Sequence, residues 1–228
     1  MEPVRIVCAT RKSPELFSKE SALSRSLEFI VPSGEIQLSV YPENTLGLPQ
    51  IYNTEIRKAK DNPVILVFAH DDIFLTDFFC IERLRAALVS FDLVGVVGCR
   101  ERIPYQPTWC YVDTQWTPAS SGILSGAIAS GHGFPSGTQS VLGPHSAEVK
   151  LLDGVFLACR SHVLIEHEIY FDERFDFHFY DMDFCRQFEA ADLRMGTAPI
   201  SIVHESVQNY GSQPWLSSYR DYLTKWGG

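Results

Sequence analysis

The chain has 228 residues, 45% of them hydrophobic and 12% aromatic, with 28 acidic against 19 basic side chains and a formal charge of -9. That apolar content suffices for a well-buried core, read here as one domain over 1–228. The acidic excess disfavours nucleic acid and anionic membrane surfaces as partners.

The first element, Val4 to Ala9, predicts a short buried strand that opens into a polar loop at Thr10, Arg11 and Lys12. The start MEPVRIVCATRK lacks the pattern of a secretory signal. The six cysteines form no C-x-x-C pair. Together these predict a reducing, cytoplasmic setting. No apolar run approaches the roughly 18 to 20 residues that cross a bilayer, so any membrane contact is expected to be peripheral.

A second apolar run, Leu27 to Val31, closes at Pro32, Ser33 and Gly34, and Ile36 to Tyr41 alternates as a third strand. A helix is predicted from about Pro49, with Ile51, Tyr52, Ile56 and Ala59 on one side. The stretch VILVFAHDDIFL, Val64 to Leu75, is a fourth, fully apolar strand followed by His70, Asp71 and Asp72. A helix from about Asp77 to Phe91, capped by Thr76, and a fifth strand, Leu93 to Val97, follow. Apolar strands separated by helical patterns predict an α/β fold built on a largely parallel sheet.

From Ser120 to Ser146 the chain carries six glycines and seven serines, and a flexible loop is expected at about 120–146. Core character returns at LLDGVFLACR, Leu151 to Arg160. A helix is predicted from about Asp181 to Ala191, a late strand over Ile200 to Val203 ending at His204, and a helical aromatic stripe at 215, 219, 222 and 226 that reads first as core and second as a cover over a bound ligand.

Three places carry possible chemistry. His70-Asp71-Asp72 and His204 both lie at strand ends, where open α/β sheets bind ligands, and a carboxylate with an imidazole can hold a divalent cation. Taken singly, each has a plainer structural reading: a solvated turn for the triplet, a hydrogen-bonded core histidine for His204. The third is FDERFDFHFYDMDFCRQF, Phe171 to Phe188, where acids are interleaved with aromatics. Apolar neighbours raise the proton affinity of Asp181 while a helix start lowers it, so Asp181 reads equally as a general base or as a helix cap. Asp183 reads as a helix-start charge.

Known hydrolase and phosphate-loop patterns fail. Ser125 is misplaced in GILSG for a nucleophile elbow, HVLIEH has the wrong spacing for a zinc protease, and GHGFPSG, Gly131 to Gly137, follows no predicted strand.

The segments VRIVCAT, GLPQIYN, ILVFAHDD, LLDGVFLACR, FDERFDFHFYDMDFCRQ and ISIVHES, in that order and over most of the chain, resemble the family 2-like, GT-A fold nucleotide-diphospho-sugar glycosyltransferases. The resemblance implies a three-layer α/β sandwich with a mostly parallel mixed sheet. It implies nucleotide contacts from Ala9, Thr10, Arg11, His70 and Asp71, an acceptor side at Asp153 and Gly154, and Asp181 as catalytic base. Asp72 and His204 are the implied ligands of a divalent cation, Mn²⁺ or Mg²⁺. His70 stands where the family's first aspartate is usual, and Tyr180-Asp181 where an acidic pair is usual. The implied activity is metal-dependent, inverting transfer of a sugar from a nucleotide-diphosphate donor to a glycan or other hydroxyl acceptor. His70 also motivates a rival, a non-catalytic sugar-nucleotide or glycan-binding module, and the Asp/His cluster a weaker one, a phosphoesterase.

Overall fold

The structure is a computed structural model that describes residues 2–30, 36–131, 137–205 and 210–228. Its elements are β1 (Val4–Ala9), α1 (Pro14–Glu20), α2 (Ala22–Ile30), β2 (Ile36–Tyr41), α3 (Leu48–Lys58), β3 (Ile65–Ala69) and β4 (Ile73–Leu75). These are followed by α4 (Cys80–Ala87), β5 (Leu93–Gly95), β6 (Val97–Cys99), β7 (Leu124–Ser130), β8 (Thr138–Val141), β9 (Glu148–Val149) and β10 (Leu151–Leu152). The last are β11 (Phe156–Arg160), α5 (Ser161–Glu166), α6 (Tyr180–Ala190), β12 (Met195–Thr197), β13 (Ile202–His204) and α7 (Gln213–Trp226).

Two mixed sheets result: one in the order β2-β1-β3-β11-β5-β12-β9, the other β10-β6-β7-β13-β4 with β8 paired to β7. In the first, β1, β2 and β3 run parallel, and β12 runs parallel to β5. Strand β11 is antiparallel to both β3 and β5. This reversal matters for the site. It brings the start of β11, just after Asp153 and Gly154, to the carboxyl end of β3, where Phe156 pairs with Ala69 and the His70 amide donates to the Val155 carbonyl at 3.2 Å.

Strand β3 is buried along its whole length, as expected for Ile, Leu, Val and Phe packed on both faces. Phe68 contacts Tyr52 of α3 and Phe171 at centroid separations of 4.7 and 5.0 Å. Phe171 in turn stacks on Phe184 of α6 at 3.8 Å. Burying each such ring is worth about 2 to 3 kcal/mol, so α3 and α6 are pinned to the strand end that carries His70.

Several predicted elements differ from those observed. The run beginning at Leu27 belongs to helix α2, not a strand: Leu23, Ser26 and Ile30 recur on its buried side at helical spacing. Val31 and the Pro-Ser-Gly stop lie outside the described residues. The fifth strand is two, because the chain passes at Val96 from β5 in one sheet to β6 in the other. Strand β4 was not anticipated, and α4 starts at Cys80 rather than Asp77. There the Thr76 hydroxyl donates to the Ser201 carbonyl and Asp77 accepts from the Phe79 amide at 2.9 Å, which ties both residues into a turn.

The glycine- and serine-rich segment expected as a loop carries β7 and β8; its residues 132–136 lie outside the described part. Small residues serve close packing here. A Cβ on Gly126 would sit 2.0 Å from the Val96 carbonyl oxygen, and the buried Ser125 hydroxyl hydrogen-bonds with the Pro144 carbonyl and the Thr197 hydroxyl, each at 2.6 Å.

Helix α7 buries Trp215, Tyr219 and Tyr222, as the aromatic stripe predicted. Its end is held by Asp183, a fully buried carboxylate that accepts from Trp226 Nε1 at 2.7 Å and Gln187 Nε2 at 2.8 Å and pairs with Lys225 Nζ at 2.6 Å. Asp183 is therefore an anchor for α7. Removing the cation leaves a buried charge under-compensated, so Lys225→Ala is expected to cost about 3 kcal/mol, measurable as a lowered urea midpoint.

Candidate functional site

One cleft of about 410 Å³ is lined by Ala9, His70, Asp71, Asp72, Asp153, Gly154, Asp181 and His204 together with aromatic side chains. Three chain reversals bring these residues into it. His70 to Asp72 form the turn between β3 and β4. His204, ending β13, pairs antiparallel with Ile73 at the start of β4 and so stands beside Asp72. Tyr180 and Asp181 open α6 directly over Gly154.

Asp72 Oδ1 lies 3.4 Å from His204 Nε2 and 3.9 Å from His70 Nδ1. One ligand atom from each of the three residues falls within 4.8 Å of the others. The Tyr180 hydroxyl donates to the Gly154 carbonyl at 2.8 Å, so at its 2.9 Å contact with His70 Nε2 it accepts. His70 therefore carries its proton on Nε2 and presents an unprotonated Nδ1 toward Asp72. Burial holds the His70 pKa down, against the pull of Asp72. Burial also pulls His204 down, but its hydrogen bond and charge contact with Asp72 outweigh this and raise its pKa. Two imidazoles and a carboxylate form a donor set suited to a divalent transition ion. Tyr180 orients one donor from behind. Tyr180→Phe is expected to weaken Mn²⁺ binding about tenfold, read by calorimetry, and to cost about 1 to 3 kcal/mol of stability, because it leaves the Gly154 carbonyl and the His70 Nε2–H without their partner.

Asp181 is placed by strain and by hydrogen bonds. Phe179, just before α6, adopts a left-handed conformation with φ 67°, unusual for a bulky side chain. Its ring is held against Trp215, Tyr219 and Tyr222 at centroid distances of 5.1 to 5.5 Å. The turn aims Asp181 into the cleft, where Oδ2 accepts from the Gly154 amide at 2.9 Å and Oδ1 from the Met182 amide at 2.8 Å. Burial, and then the nearby charge of Asp153, raise its pKa to about 7, against the opposing amides. Asp153 is itself fixed, accepting from Trp109 Nε1 at 2.7 Å and the Val155 amide at 2.9 Å.

Not every residue expected at the site lines it. Thr10 sits behind the wall, donating its hydroxyl to Asp71 Oδ2 at 2.5 Å. Arg11 is exposed and absent from the lining; Lys12 instead reaches Asp71 at 3.1 Å. Trp109, Phe177, Tyr210 and Trp215 do line it. Trp215 belongs both to the core and to the lining, in keeping with the two readings of its stripe, whereas Trp109 and Tyr210 carry no sequence signal, because an isolated aromatic in an irregular segment has no periodicity.

The cleft thus combines a carboxylate-imidazole cluster at strand ends with a carboxylate at a helix start on one α/β core. The structure of GalNAc-T7 with UDP, GalNAc and Mn²⁺ is similar in fold, with a TM-score of 0.61 and 12% sequence identity over 99% of this chain and 48% of that one, so the chain spans about half the length of the protein it matches. The sequence model of a glycosyltransferase-like family matches residues 8–220, and the chain belongs to that family. No curated protein sequence matches the chain.

Proposed function

We propose that the protein transfers a sugar from a nucleotide-diphosphate donor to a hydroxyl acceptor, in a metal-dependent reaction with inversion at the anomeric carbon. The observation that carries this reading is the convergence of His70, Asp72 and His204 with the Asp181 carboxylate on one cleft. The similar fold of a protein that binds UDP, GalNAc and Mn²⁺ supports it.

The cleft lining includes the carboxylates of Asp71, Asp72, Asp153 and Asp181 and no Lys or Arg among the described residues. A nucleoside diphosphate brought there would meet like charge. Asp72, His204 and His70 would hold a divalent cation, Mn²⁺ or Mg²⁺, which when bound supplies positive charge against the diphosphate. Asp181 accepts the proton of the acceptor hydroxyl. As that oxygen bonds to the anomeric carbon, the bond from this carbon to the diphosphate breaks, and the nucleoside diphosphate leaves with the electron pair. Ala9 and Asp71 flank the donor end of the cleft, with Thr10 behind Asp71. Asp153 and Gly154 lie on the acceptor side and keep Asp181 in register.

The test is incubation with a panel of nucleotide sugars, Mn²⁺ and mixed glycosides, following release of nucleoside diphosphate and the anomeric configuration of the product by NMR. Acceptor-dependent release with an inverted product is expected. Nucleotide binding without turnover on any acceptor would replace this reading with the binding module suggested by His70. Hydrolysis of simple phosphodiesters without a sugar donor would indicate a phosphoesterase.

A further inference from the structure

The wall beside Asp153 and Asp181 is aromatic and built with care. Trp109, a largely buried ring that lines the cleft, is fixed by its indole N–H on Asp153 at 2.7 Å. Tyr210 also lines the cleft, and it is braced from behind: Trp116 stacks on it at 5.4 Å and 17°, while Tyr111 meets it edge-on at 5.8 Å. Trp116 holds a positive φ of 63° to reach that position, backbone strain that the surrounding packing must offset. Bracing of this kind fixes the orientation of a flat apolar surface before any ligand arrives.

Charge narrows what such a surface can take. The described lining residues include four carboxylates and no Lys or Arg, and Lys12, outside the lining, pairs with Asp71. A cation held by His70, Asp72 and His204 would lie at the donor end and leave Asp153 and Asp181 facing the acceptor. An anionic acceptor such as a uronide, a sugar phosphate or a lipid phosphate would be repelled there. An uncharged sugar ring offers hydroxyls to the two carboxylates and an apolar face to the aromatic wall.

Resting on the proposed transfer reaction, we infer that the acceptor is an uncharged pyranoside, seated on the Trp109 and Tyr210 wall with a hydroxyl directed at Asp181. Saturation-transfer NMR on the full chain with Mn²⁺ tests this. The neutral probes are methyl glucoside, methyl galactoside and methyl N-acetylglucosaminide; the anionic ones are methyl glucuronide and glucose 6-phosphate. At least one neutral probe is expected to receive saturation on its ring protons, with the anionic probes weaker by about tenfold or more. Tyr210→Ala is expected to weaken the neutral probe about tenfold while Mn²⁺ affinity is unchanged. Anionic probes that bind as well as neutral ones, no saturation of any neutral probe, or full neutral binding by Tyr210→Ala would each overturn the inference. The titrations are run with and without UDP, GDP and dTDP: neutral-selective glycoside binding without any nucleotide binding would sink the donor site and leave the acceptor assignment standing.

Discussion

Asp181→Asn is expected to lower transfer by about 100- to 10,000-fold, the range that a positioned general base supplies, while nucleotide and Mn²⁺ affinities stay within about twofold of wild type. The substitution keeps the size of the side chain and one oxygen that can accept from a backbone amide. It removes the ability to hold the acceptor proton. The split between binding and turnover is the informative part, because a residue that only caps α6 would affect both or neither. The pH profile adds a second readout. Asp181 carries a pKa raised to about 7 by burial and by Asp153, and only its ionised form can act as base. Activity must therefore rise with pH through an acidic limb at or below about 7, since a bound cation favours the ionised form. In Asp181→Asn the residual rate should lose that limb. Wild-type activity in the variant would remove Asp181 from the proposed role.

Gly154→Ala carries the second large effect, and its cause is steric. A Cβ at this position would lie 2.4 Å from the Tyr180 hydroxyl, 2.7 Å from its Cζ and 2.9 Å from Asp181 Cβ. None of these atoms is the end of a freely moving chain: Tyr180 is buried and hydrogen-bonded to the Gly154 carbonyl, and Asp181 accepts from the Gly154 amide. The start of α6 must shift, and with it the hydrogen bond that fixes His70 and the aim of Asp181. The expected result is a loss of about 1 to 3 kcal/mol of stability, more than 100-fold lower transfer and weaker Mn²⁺ binding in the same variant. Gly122→Ala is the control, because a Cβ there meets only the Ser120 hydroxyl at 3.6 Å. Thermal melts, metal titration and turnover measured on both variants check the contrast.

The strands with strong apolar signals were legible. Val4–Ala9 is observed as predicted, and the VILVFA run gives β3. What the sequence hid was governed by contacts between distant segments. Helix α2 has a buried side that emerges only when the run is read at a period of 3.6 rather than as isolated apolar residues. β7 pairs with β6 although its residues are mostly small, because glycine and serine let the carbonyl of Val96 approach and the Ser125 hydroxyl is satisfied by Pro144 and Thr197. Local composition resembles that of a loop, and the partners that make it a strand lie elsewhere in the chain.

For the site, His70, Asp72, Asp181 and His204 could be singled out from residue type and position at strand or helix ends. Their common cleft depended on the antiparallel insertion of β11 beside β3 and on the pairing of β13 with β4, neither of which has a local signature. The role of Tyr180 in setting the His70 tautomer was equally hidden, since a tyrosine within an aromatic run reads as core. Arg11 illustrates the converse: the basic residue next to β1 was expected to face the nucleotide, but it points to solvent and Lys12 pairs with Asp71.

Asp72, His70 and His204 would form a cation cradle that an anionic donor requires in a cleft whose described lining holds no Lys or Arg, Lys12 being engaged by Asp71. Calorimetric titration of UDP, GDP and dTDP into the full chain, with Mn²⁺ and again in EDTA, alongside Asp72→Asn, tests it most directly. At least one nucleotide should bind with Mn²⁺ and lose about 100-fold or more of its affinity in EDTA and in the variant. Equal nucleotide affinity with and without the cation would contradict it.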